Sequence, residues 1–208
     1  MSAIFDWARV ENLQPEPITL EIWKKLPEDF CRLVEVVNGE AIRAESPTRE
    51  HQNAARRLAS MLESAADSHV SQHKDACLDV CTDFDVLLWD VPRTTIRRPD
   101  AALFECAPSD ERPLRVHRVK LVIEVVSPGS EKVDLSDKKA EYAAAGIPWY
   151  WLVWVSDNAV ASIEIHVLDH ALGAYRRYQV LEQDDAGTTI DVPVRIRIEW
   201  DRLRGLSR

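Results

Sequence analysis

Two almost unbroken apolar runs, Val119–Val126 (VKLVIEVV) and Pro148–Val155 (PWYWLVWV), flank a helix-patterned stretch from about Asp134 to Ala145. A strand that is apolar on both alternating faces is expected to be covered on both, in the middle of a sheet. Two such strands joined by one helix make a β-α-β unit. Gly146 suits the position just past the helix end, where the backbone turns left-handed. Two residues interrupt the first run, Lys120 near its start and Glu124 further in. A carboxylate buried at Glu124 is costly unless it is paired or holds a metal ion. The pattern around it supports an ion-paired glutamate and a metal ligand equally.

The rest of the chain reads as scaffold around that unit. Thr19 caps a short helix, Leu20–Leu26, which Pro27 ends. Cys31–Val37 and Glu40–Ala44 form a hairpin across Asn38-Gly39, a dipeptide that tolerates φ > 0 at both positions. Thr48 caps a long helix, Arg49–His69, with Ala54, Ala55, Leu58, Ala59, Met61, Leu62 and Ala65 at helical spacing and His51 in its first turn. Cys77–Trp89 reads as one strand with a bulge near Thr82–Asp85, where the alternation slips. Arg93–Arg98 reads as a basic connection and Asp100–Glu105 as a strand opened by Pro99. Cys106–Val116 reads as a polar loop, and Ser127-Pro128-Gly129 ends the central strand. Ala161–Asp169 and Tyr175–Leu181 form a hairpin, and Ile190–Trp200 a late strand. The expected fold is α+β, a mixed sheet with a β-α-β unit and flanking helices. Residues 1–30 form a lead-in with a short helix, and 31–208 form one domain.

At 208 residues with 46% apolar and 29% charged content, the chain is long enough to bury a sizeable core. It shows no secretory pattern and no run of the ~20 apolar residues that a membrane-spanning helix needs. The expectation is therefore a cytoplasmic protein with no membrane partner. Cys31, Cys77, Cys81 and Cys106 are scattered, without the spacing of a disulfide framework. His69, His73, Cys77 and Cys81 recur every four residues and are all zinc-ligand types. Their segment leaves a helix for a strand, and no Cys-x-x-Cys knuckle is present, so ordinary core and surface residues are the favoured reading. A net charge of −9 argues against a broad nucleic-acid-binding surface but leaves room for a small basic cleft.

The chemistry lies between Arg97 and Trp154. If the strands carrying Asp100 and Glu124 are neighbours, their carboxylates can share one hard divalent ion, Mg²⁺ or Mn²⁺. Such an ion activates water and offsets phosphate charge. Asp134, Lys138 and Tyr142 lie along one helical stripe, i, i+4, i+8. The Lys138 ammonium could orient the attacking water or stabilise the transition state, and Tyr142 could bond a phosphate oxygen or pack on the sheet. Arg93, Arg97, Arg98 and Lys139 could contact phosphates, though such charges are more often solvated surface. The tryptophan-rich strand Trp149–Trp154 suits either a core or a homodimer interface.

Taken in order, Pro99-Asp100, Glu124-Val125, Ser127-Pro128, Asp134, Lys138, Tyr142, Gly146-Ile147-Pro148 and Tyr150-Trp151 resemble the Uma-type family of putative restriction endonucleases, a bacterial branch of the PD-(D/E)XK nuclease superfamily. Glu35, Asn38-Gly39-Glu40, Ser46-Pro47 and His51 extend the resemblance, which covers roughly 31–178. It implies a restriction-endonuclease-like core, dependence on a divalent metal and DNA as substrate. It implies Asp100 and Glu124 as catalytic metal ligands, the Val125 carbonyl as a further ligand, Lys138 as the catalytic lysine, and Tyr142 and His51 as accessories. The superfamily usually carries its lysine two residues after the glutamate, where this chain has Val126, and the family's shifted lysine maps onto Lys138. Trp149 and Trp154 depart from the acidic residues common at those places. The alternative is a binding or interaction module on the same scaffold, with little or no turnover.

Overall fold

The computed structural model describes residues 16–44, 46–126, 133–183 and 187–207. Residues 1–15 of the lead-in, the Ser127-Pro128-Gly129 terminator and the Asp134 side chain lie outside what is described. In chain order the elements are helices α1 (Leu20–Trp23) and α2 (Glu28–Cys31), strands β1 (Val34–Val37) and β2 (Glu40–Arg43), helix α3 (Arg49–Gln72), and strands β3 (Leu78–Thr82), β4 (Val86–Trp89), β5 (Thr95–Arg97), β6 (Ala101–Glu105), β7 (Leu114–Arg115) and β8 (Val119–Val126). A π-wound turn, Val133–Lys138, then leads into helix α4 (Lys139–Ala144). Strands β9 (Trp149–Ser156), β10 (Ala159–Asp169), β11 (Ala174–Glu182), β12 (Thr188–Ile190) and β13 (Ile196–Ile198) complete the chain.

Six strands form the main sheet in the order β11-β10-β9-β8-β6-β3. The two apolar runs occupy its middle: β8 and β9 pair in parallel, Leu121 opposite Trp149 and Glu124 opposite Leu152. One face of this sheet carries α3, whose Leu58, Leu62 and Ala66 pack with Leu121, Ile123, Trp151 and Trp200. The other face carries α4 and part of a second, five-stranded sheet, β2-β1-β5-β4-β7. There Tyr142 and Ile147 pack with Val122, Tyr150, Leu152 and Val86. The hairpin forms as the sequence indicates, with Val37 opposite Glu40 and φ of 51° and 82° at Asn38 and Gly39. Thr48 Oγ1 accepts from the His51 N–H at 3.2 Å, which fixes the start of α3.

Several expectations change. Helix α1 stops at Trp23, short of Leu26, and Pro27 instead opens a second turn, α2, so the first strand starts at Val34 rather than Cys31. The slip at Thr82–Asp85 is not a bulge. Asp83, at φ 51°, turns the chain out of the main sheet, and β4 belongs to the second one. Arg93–Arg98 contains a strand, β5, with Thr95, Ile96 and Arg97 all buried. Ile190–Trp200 is not one strand: β12 and β13 pair with each other as a hairpin, Ile190 opposite Ile196. The tryptophans divide. Trp151 is fully buried in the interior strand β9, Trp149 meets the Tyr178 ring edge-on at 5.4 Å, and the Trp154 indole donates to Glu164 at 3.0 Å.

The cysteines also differ from the reading above. Cys77 and Cys106 form a disulfide that closes the end of the β3–β6 ladder, whose register places Leu78 opposite Glu105. Spacing could not reveal it, because the two residues are adjacent only once those strands pair. The bond removes Cys77 from any zinc set, and the His69 and His73 rings stack on each other at 4.1 Å. Among the described residues no helix is long and apolar enough to cross a membrane.

Candidate active site

The register of the main sheet brings the two carboxylates together. β6 and β8 are antiparallel, with Ala101 opposite Ile123 and Ala102 opposite Val122, so one more step sets Asp100 across from Glu124. Asp100 lies just before β6, where Pro99 cannot extend the ladder. Its Oδ2 accepts from the Val125 N–H at 2.7 Å, and its Oδ1 lies 2.8 Å from His51 Nε2. The Thr48 cap explains the second contact, because it fixes the first turn of α3 on which His51 projects.

Glu124 is 1% exposed and held from α4. Tyr142 donates its hydroxyl to Oε1 at 2.6 Å, and Lys138 donates to Oε2 at 2.9 Å. The i, i+4 spacing puts both donors on one stripe of the helix above β8. Burial, and then the Glu124 charge, push the Tyr142 hydroxyl well above its ordinary range, so it remains a donor. Burial lowers the pKa of Lys139, the residue after Lys138, with the Glu164 charge opposing it.

A cavity of about 290 Å³ opens beside this group, lined by His51, Gln52, Arg56, Asp83 and Asp100 among others. Asp83 has its pKa raised by burial and then by the Asp100 charge. A larger cavity, about 540 Å³, lies at the opposite end of β8 against the disulfide and holds none of the expected site residues. The chemistry therefore favours the smaller one.

The expected side chains among those described form two groups: His51 with Asp100, whose Oδ2 also holds the Val125 N–H, and Lys138 and Tyr142 with Glu124, the residue before Val125. The structure binds Arg97 and Arg98 to carboxylates of the chain itself. Neither is a surface cation. Arg97 is 4% exposed and bound to Glu35 and Glu141, while Arg98 donates to Asp85 Oδ1 at 2.6 Å. Burial raises the Asp85 pKa, with Arg98 opposing it. Glu35 carried a readable signal: a carboxylate in the apolar run LVEVV is the same anomaly as Glu124.

Hard divalent cations take oxygen donors, and near one end of β8 the groups that could supply them are Asp100, Glu124 and the Val125 carbonyl. Among the described residues, no three His, Cys, Asp or Glu side chains are grouped so as to hold a metal ion. A cation here would depend on two carboxylates, a carbonyl and water, which suits an ion that keeps several waters.

A mixed sheet with a β-α-β centre and two carboxylates at adjoining strand ends defines an α+β protein of nuclease-like fold. The chain belongs to the Uma2 family, described as "Putative restriction endonuclease", whose model matches residues 23–199. Among solved structures it resembles a putative nuclease of DUF820 from Anabaena variabilis, at 17% identity and a TM-score of 0.59, over 85% of this chain and 90% of that one. No curated protein matches the chain.

Proposed function

We propose that this protein is a divalent-metal-dependent endonuclease that hydrolyses phosphodiester bonds in DNA. The observation that carries the reading is that Asp100 holds the Val125 N–H beside Glu124, while Lys138 donates to Glu124. Family membership supports nuclease chemistry as its class. Mg²⁺ or Mn²⁺, held by Asp100, Glu124 and the Val125 carbonyl, would supply charge compensation at the phosphate and a more acidic water.

The chain's own residues do the rest. His51 and the Val125 N–H fix the Asp100 carboxylate by occupying one oxygen each. Tyr142 fixes Glu124 in the same way. Lys138 moves from Glu124 towards the reacting phosphate, where its ammonium orients the attacking water or stabilises the pentavalent transition state. Water adds to phosphorus, the phosphorus–oxygen bond to the leaving sugar breaks, and the leaving oxygen takes a proton. Residues 31–208 act as one domain in this reading, in the cytoplasm. A homodimer through Trp149–Trp154 would have to use its half-buried members, Trp149 and Trp154, because Trp151 is fully buried.

The second reading, a nuclease-fold binding module, is favoured by one observation: Lys138 and Tyr142 already satisfy Glu124 with protein donors. Supercoiled plasmid incubated with Mg²⁺ or Mn²⁺ at low salt separates the two. Low salt matters because phosphate contacts weaken steeply as salt rises. Nicking by the wild type that is abolished in Asp100→Ala, and reduced about 100-fold or more in Lys138→Met, is expected. Metal-independent nicking, or nicking by both variants at the wild-type rate, would refute the assignment.

A further inference from the structure

We propose that Arg97 is a positioning residue: through Glu141 it sets α4 so that Lys138 and Tyr142 meet Glu124. The inference deepens the reading of the site given above and rests on it.

Arg97 ends β5 in the second sheet, yet its guanidinium lies against α4 on the main sheet. Nε and Nη2 donate to Glu141 Oε2 and Oε1 at 2.6 and 3.0 Å, a two-pronged contact that fixes direction as well as distance. Nη1 donates to Glu35 Oε2 at 2.7 Å, and Glu35 Oε1 accepts from the Arg98 N–H at 2.8 Å. Arg97 thus joins β1, β5 and α4 at one point. Both carboxylates are well covered, with side-chain exposures of 10% for Glu35 and 17% for Glu141.

Glu141 is three residues after Lys138 and directly before Tyr142. The α-helical part of α4 spans only Lys139–Ala144, and the turn before it is π-wound. A helix that short has little stability of its own, so its rotation must be set by what it touches. One residue of helical phase is ~100°, enough to carry Tyr142 off Glu124. The Arg97–Glu141 fork opposes such a rotation from the flank facing the second sheet.

Electrostatics point the same way. Glu35 and Glu141 share the Arg97 guanidinium, and Glu124 accepts from Tyr142, the residue after Glu141. The Glu35 and Glu124 charges both act on the Tyr142 hydroxyl, and the Arg97 charge opposes them. Burial alone would disfavour the Arg97 charge, but Glu141 and Glu35 outweigh it and raise its pKa. A lysine could match the charge but not the planar fork.

The test uses Glu141→Gln, Arg97→Lys and the wild type, each labelled with ¹³C at the tyrosine Cζ. The sequence has four tyrosines, and Tyr142→Phe identifies the Tyr142 resonance. Mn²⁺ affinity is measured beside it. The expected result is a shift of the Tyr142 signal in both variants, with the Tyr150 and Tyr175 signals unmoved. Mn²⁺ binding should weaken about 10-fold or more, the range for residues that orient ligands from behind. Plasmid nicking should lose kcat rather than affinity for DNA. Folded variants that keep the wild-type Tyr142 signal would overturn the proposal and leave Arg97 a structural ion pair. A wild type that binds no Mn²⁺ would instead defeat the metal-dependent reading, while the Tyr142 signal still decides the role of Arg97.

Discussion

Reducing the Cys77–Cys106 bond tests the fold quantitatively. The two residues are 29 apart in sequence. Cross-linking a loop of that length removes about 12 cal/mol/K of chain entropy from the unfolded state, or about 3.6 kcal/mol at 25 °C. Unfolding entropy near 2.1 cal/mol/K per residue gives ~0.44 kcal/mol/K for the whole chain. Reduction should therefore lower Tm by about 8 °C. The assay is differential scanning calorimetry with and without a phosphine reductant, beside Cys77→Ser/Cys106→Ser. That double variant should melt where the reduced wild type melts and ignore reductant. Denatured protein should show two titratable thiols before reduction, from Cys31 and Cys81. Cys81 should not exchange into the bond under native conditions, because burial, and then Asp79 and Asp83, push its thiol up to about 12. Four thiols before reduction would show that the bond does not form. Two thiols with an unchanged Tm after reduction would refute the loop-entropy reasoning itself.

Two further outcomes follow from buried groups. Tyr142→Phe removes a hydroxyl that donates to a carboxylate only 1% exposed, and should cost about 1.5–3 kcal/mol in urea unfolding; a change below about 0.5 kcal/mol would contradict that contact. His166 is 3% exposed and its pKa is lowered, chiefly by burial and then by the Lys139 charge. A lowered folded-state pKa means that the unfolded chain binds the proton first, so this stability is present above about pH 6.5 and lost on acidification below it. The slope is at most about 1.4 kcal/mol per pH unit, and His166→Gln should flatten it. Parallel stability curves for the two proteins between pH 5 and 7 would rule it out.

What the sequence showed depended on the range over which each signal acts. The Thr48 cap, the Asn38-Gly39 turn and the apolar stripe of α3 are short-range patterns, and each forms as written. Glu124 stood out because a carboxylate in an apolar strand is anomalous, and Lys138 and Tyr142 because helical spacing is regular, whereas Asp100 gained meaning only through the neighbouring strand and the family resemblance. The turn at Asp83 was misread because a strand that bulges and a strand that changes sheet break the alternation alike. Arg97 read as a surface cation because its partners, Glu35 and Glu141, lie 62 and 44 residues away. The Cys77–Cys106 bond was hidden for the same reason, since it depends on the pairing of β3 with β6.

That pairing bears on how such a protein could be altered. β3 and β6 are antiparallel neighbours, with Thr82 opposite Ala101, so the chain between them leaves the main sheet and returns to the same place. Residues 83–100 are, topologically, one very long hairpin loop. Its tip is built into a second sheet, and its base carries Asp83 and Asp100. A loop closed at its base by an existing ladder can change length without altering the register of either strand. Grafting a different excursion between Asp83 and Asp100 would keep both carboxylates anchored while changing the surface beside them. The graft would have to replace Arg97 or carry its own cation to Glu141. With that constraint met, the segment is a natural place to diversify what this site meets.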